Sequence, residues 1–228
     1  AVSKLMHFKA QKNMGEYPRY ERKMNPMMGV EEKMAGAQLF GEVRIEDLDP
    51  AARERWQNYE DKLRQAAAGS STRNFSEENK ARLLEEGYKI AEDLQSEGAG
   101  INPRYEGLKD IRNNVREGLR LKPENEKNLT IYGLLGTPLH KSFGFAGVVK
   151  FSEGGKPIYV PFEHEARRRE AKNITPVVIG EIPDPKDPEE KEKYQEVIRK
   201  TGRDIFNQIL AVKKIRRMRS STHHRGIF

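Results

Sequence analysis

Apolar residues recur along this chain at two different periods, and the change of period marks out its elements. From Asp49 to Leu119 they return every three to four residues, as on one face of a helix. Asp49-Pro50 places a side-chain cap directly before a proline suited to a first helical position, and Trp56, Tyr59, Leu63, Ala66 and Ala67 follow at helical spacing until Gly69. Trp56, the single tryptophan, is expected to anchor packing. After a polar linker, Ser76 caps a second helix whose first turn holds Glu77 and Glu78. Its apolar face is Leu83, Leu84, Tyr88, Ala91 and Leu94, ending near Gly98. Pro103 opens a third, with Tyr105, Leu108, Ile111, Val115 and Leu119 on one side. The three are expected to form one small helical layer.

Between Leu129 and Ile182 the helical period disappears. Short runs rich in β-branched and aromatic residues replace it: Ile131-Tyr132, Phe145 to Phe151, Ile158 to Phe162 and Val177 to Ile179. Glycines and prolines separate them. Glu153-Gly154-Gly155-Lys156 reads as a hairpin turn, and Pro157 and Pro161 should make the returning strand an edge or an irregular one, because proline removes ladder donors. Beyond the stiff Pro183–Pro188 connector the helical period resumes. Tyr194, Val197, Ile198, Ile205, Ile209, Leu210 and Val212 are the expected stripe of a helix running to about Met218.

The expected fold is therefore α+β: three helices in a layer, a short irregular β-hairpin or sheet, a long C-terminal amphipathic helix, and an extended N-terminal arm. The segments are 1–40 (arm), 41–121 (helical), 129–182 (strands), 183–219 (C-terminal helix) and 220–228 (basic tail).

Charge changes the picture more than composition does. The formal net charge is +7 over 228 residues, and cations gather in distinct places. The arm holds six of the seven methionines, and interleaves Lys9, Lys12, Arg19, Arg22 and Lys23 with Tyr17 and Tyr20. Such a segment suits threading into a partner, cations on phosphates and tyrosines on bases. Arg112, Arg116 and Arg120 form a row on the third helix that could face phosphates. Arg167, Arg168 and Arg169 make a concentrated patch. Lys213, Lys214, Arg216, Arg217, Arg219 and Arg225 close the chain with no acidic residue after Asp204. A helix dipole needs one or two cations at its end, so this many implies an external anion.

No catalytic pattern accompanies these charges. Lys141-Ser142 lacks both glycines of a phosphate loop, with His140 and Leu135 in their places. His164-Glu165 begins like a zinc-protease helix, but Arg168 occupies the second histidine position. There is no cysteine, hence no thiolate nucleophile or ligand and no disulfide. No cofactor, metal or small-molecule substrate is expected, nor an enzyme. Apolar runs are far shorter than a membrane span and no secretory leader is seen, so an intracellular or organellar reducing compartment, such as the mitochondrial matrix, is expected.

In composition and layout, though in no motif, the chain resembles the accessory proteins of organellar ribosomes. That resemblance implies a non-catalytic structural subunit of a large ribonucleoprotein, touching rRNA and neighbouring proteins through basic extensions, and assigns no residue a role. The alternative is an accessory subunit of a mitochondrial respiratory or ATP-synthase assembly.

Overall fold

The computed structural model describes residues 36–68, 77–95, 98–163, 176–180 and 182–223. Its centre is a four-stranded sheet in the order β1 (Leu129–Gly133), β2 (Gly147–Phe151), β3 (Ile158–Glu163), β4 (Val177–Val178). The first three strands are antiparallel, in registers that set Ile131 opposite Val149 and Val149 opposite Val160. β4 lies parallel to the end of β3 and pairs only with Phe162 and Glu163. Over Ile158–Pro161 the outer side of β3 therefore has no strand beside it among the described residues, and there Pro161 is tolerated.

Because side chains alternate along a strand, this sheet has two apolar faces. Leu129, Ile131, Val149, Phe151, Ile158, Val160 and Phe162 point to one, where helices α3 (Glu106–Leu119) and α5 (Lys191–His223) cover them. Tyr132 and Val148 point to the other, covered by α1 (Pro50–Ala68), α2 (Glu77–Asp93) and the short α4 (Pro138–Phe143). Mixed helix and sheet, with a long C-terminal helix, is the architecture anticipated, but the single layer of three helices is not. The third helix joins the C-terminal one across the sheet from the first two. Gly202 makes that crossing close, since a Cβ there would stand 2.4 Å from Cβ of Asn114.

Local signals account for most element boundaries. Asp49 Oδ1 accepts the Ala52 amide at 3.0 Å, capping α1 as its sequence implies. Asp187 behaves as a cap one turn early: its Oδ1 accepts from the Glu189 amide at 2.9 Å, and α5 itself begins at Lys191. α3 starts at Glu106 rather than at Pro103. α4 was not anticipated. Thr137 accepts the His140 amide and Pro138 fills the first helical position, so a proline that reads as sheet punctuation opens a helix instead.

Residues 36–40, assigned by sequence to the arm, form a helical turn that belongs to the core. Leu39 and Phe40 are buried, and Phe40 meets Phe162 edge-on with ring centroids 5.7 Å apart. Two paired glycines at the end of the sheet make room for them. A Cβ on Gly133 would lie 2.5 Å from the Phe40 carbonyl oxygen, and one on Gly147 2.2 Å from the Phe162 ring. The outer edge of β1 is covered at Ile131, which donates to the Gly100 carbonyl at 2.9 Å, and just beyond the strand Val43 donates to the Leu135 carbonyl at 2.8 Å.

Candidate nucleic-acid interface

Of the cations singled out by sequence, Lys9, Lys12, Arg19, Arg22, Lys23, Arg167, Arg168, Arg169 and Arg225 lie outside the described residues, as do Tyr17 and Tyr20. The structure places the others on α3 and at the end of α5.

The row on α3 does not form one open face. After α3 the chain turns back through a 3₁₀ helix, Pro123–Asn128, alongside the arginines. Arg112 is only 3 % exposed. Its Nε donates to the Leu129 carbonyl and a terminal nitrogen to the Glu126 carbonyl, both at 3.0 Å. Burial lowers its pKa despite the nearby Glu126 carboxylate, as expected for a charge withdrawn from water. Arg112 is thus a strut between α3 and the start of β1, not a phosphate ligand. Arg116 is partly covered and pairs with Glu126 Oε1 at 3.0 Å. Arg120 alone of the three is exposed, in a left-handed conformation (φ 52°) that ends the helix. Exposed Lys122 and Lys127 follow it at the two ends of the 3₁₀ turn, which sequence inspection passed over because no helical period connects them.

The basic end of α5 also divides. Lys213 pairs with Glu153 of the β2–β3 turn and lies over the Phe151 ring, 5.1 Å from its centroid. Arg216 donates to the carbonyls of Lys156 and, at 3.1 Å, Pro157. From the opposite layer Lys156 reaches Glu85 of α2 at 2.9 Å, and this contact is the main reason the Glu85 carboxyl is held below its usual range. The hairpin turn is thereby clasped from both sides. Lys214 and Arg217 point elsewhere and are exposed. Arg219 lies in the last turns of the same helix.

A third group of polar side chains, on the α2 face of the sheet, is internal. Lys150 pairs with Glu92 beside Tyr132 and Tyr159. Burial first, and then Glu92 and Glu85, push the Tyr159 phenol up to about 12. This group joins α2 to β2 and β3. An open cleft of about 1030 Å³ runs between the two helical layers past Phe40, Glu42, Arg44, Trp56, Arg104 and Tyr105, with acids and bases interspersed. Among the described residues no group of three or more histidines or carboxylates stands close enough to hold a metal, and no helix is long and apolar enough to cross a membrane.

What the described part can offer a polyanion is consequently narrower than the sequence implied: Arg120, with Lys122 and Lys127, at one corner, and Lys214 with Arg217 on the projecting helix. Comparison of the chain with protein-family models, with curated proteins and with solved structures gave no match.

Proposed function

We propose that this protein is a non-catalytic structural subunit of a large ribonucleoprotein, an accessory protein of an organellar (mitochondrial) ribosome. The cationic segments at either end of the sequence contact rRNA and neighbouring proteins, and the small mixed core positions them. The observation that carries the reading is the distribution of charge. Cations facing the sheet and its hairpin are committed to partners of their own chain, as with Arg112, Lys150 and Lys213. The excess of positive charge lies towards the ends of the sequence: seven Lys and Arg against four Asp and Glu in residues 1–35, and no acidic residue after Asp204. A net positive charge at both ends of the sequence suits a phosphate backbone.

The test is sedimentation of the native protein from a gentle extract, with and without nuclease. Migration in a large particle that nuclease collapses is expected. With the isolated protein, glutamine at Arg120, Lys122 and Lys127, the exposed cations at the end of α3 and along the 3₁₀ turn, should flatten the salt dependence of RNA binding by roughly two to three units of slope, since each phosphate contact contributes about 0.7–0.9. An unchanged slope would remove all three from the interface.

The second reading, an accessory subunit of a respiratory or ATP-synthase assembly, draws on a different observation: exposed Leu210, Ile215 and Met218 on α5 suit contact with protein. A particle indifferent to nuclease would favour it.

A further inference from the structure

The distal part of α5 has two faces of opposite character. At about 100° per residue, Ile205, Ile209, Val212, Lys213 and Arg216 share the side turned to the sheet and hairpin. Leu210, Lys214, Ile215, Arg217 and Met218 share the side turned away. Leu210 is 42 % exposed, Ile215 49 % and Met218 60 %. A shallow depression of about 320 Å³ runs along the helix from Leu210 to Met218, lined also by Lys213, Lys214 and Arg217.

The outward face, with cations interleaved among large apolar side chains, is not that of a helix arranged for RNA alone. A backbone-binding helix turns its cations outward and its apolar residues inward. Here two cations, Lys213 and Arg216, are turned in and bonded to the hairpin, and three large apolar side chains are turned out. A bilayer surface fits poorly as well. It favours an uninterrupted apolar stripe, whereas Lys214 stands midway between Leu210 and Met218 in the same i, i+4, i+8 row. Apolar anchors on one helix face, with cations among them, match a groove that is apolar at its floor and acidic at its rim.

We infer that the outward face of α5 from Leu210 to Met218 docks into an apolar groove of a neighbouring protein, with carboxylates on the groove's rim meeting Lys214 and Arg217. The inference rests on the protein's being part of an assembly, and it assigns this end of the helix to protein.

Met218 reports on the contact directly. The other six methionines all lie within the first 34 residues, so its peptide is unambiguous. Brief hydrogen peroxide treatment, with sulfoxide formation at Met218 followed by mass spectrometry, would compare the isolated full-length protein with the native particle. At least tenfold slower oxidation in the particle is expected, surviving both nuclease and mild detergent. The double variant K214E/R217E should return the rate to that of the isolated protein, whether it stays with the particle or leaves it. Equal rates in particle and isolated protein would overturn the inference. So would protection abolished by nuclease, which would mean an RNA cover, or by detergent, which would mean lipid. Protection unchanged in K214E/R217E would overturn it too, by removing the acidic rim. A particle that resists nuclease while Met218 stays protected would sink the ribonucleoprotein reading and leave this one standing.

Discussion

Arg112 separates a structural role from a nucleic-acid role cleanly, because the two predict opposite results for one substitution. Arg112→Met keeps an unbranched side chain of similar length in the buried space between α3 and β1. It deletes the donors that satisfy the Leu129 and Glu126 carbonyls. Hydrogen bonds from charged groups contribute about 1.5–3 kcal/mol each, and a buried acceptor left without a donor costs about 1–3 kcal/mol. Part of that is returned, since methionine need not be stripped of a hydration shell as the buried guanidinium is. A net loss of about 2–4 kcal/mol is expected, or about 4–16 °C in melting temperature for a chain in this size range. Arg120→Met, at an exposed position, should stay within about 0.5 kcal/mol. Urea denaturation of the two variants beside the parent measures the difference. RNA binding measured below the transition should respond in the other order, with the salt slope unchanged by Arg112→Met and reduced by Arg120→Met. An Arg112→Met protein as stable as the parent, but with a flatter salt slope, would refute the strut and restore Arg112 to the interface.

Two further outcomes follow from the packing. Phe40→Ala should cost about 3–5 kcal/mol, read from the urea midpoint, because the ring is fully buried against Phe162 in the notch left by Gly133 and Gly147. Stability should fall in alkali. Burial raises the phenols of Tyr59, Tyr88, Tyr132, Tyr159 and Tyr194 above the ordinary value of 10.0. An unfolded chain therefore releases these protons before the folded one does, and the stabilisation, complete below about pH 10, is lost as pH rises towards 12 and beyond. Tyr159→Phe should lessen the slope of stability against pH across that window, followed by circular dichroism.

The strands were legible because their signal is local. Val148-Val149 and Ile158 to Phe162 are β-branched or aromatic runs bounded by glycine and proline, and each falls in a strand of the sheet. The helices were legible as elements but not in their arrangement. A period of 3.6 shows which face of α3 is apolar, yet not which face of the sheet it will cover. α4 escaped notice because six residues are too few to display a period. The burial of Arg112 could not be read from its spacing with Arg116 and Arg120, since it depends on the 3₁₀ turn at Pro123–Asn128 folding back over the first two arginines only. Leu210 is different. It was assigned to the buried stripe, but one residue after Ile209 puts it about 100° around the helix, and that offset was present in the sequence.

The wedging of Phe40 against Phe162 also governs the order in which the chain can fold during synthesis. The turn at 36–40 is synthesised well before β3, and its partner Phe162 arrives only after β1 and β2 have been made. Until then Leu39 and Phe40 have α3 at Gly107 for cover but not the Phe162 ring, and closing so long a loop is among the slower events of folding. A nascent chain stalled before Phe162 would thus leave part of an apolar turn uncovered directly beside the basic, methionine-rich residues 1–35, a composition suited to holding by a chaperone until the sheet is complete.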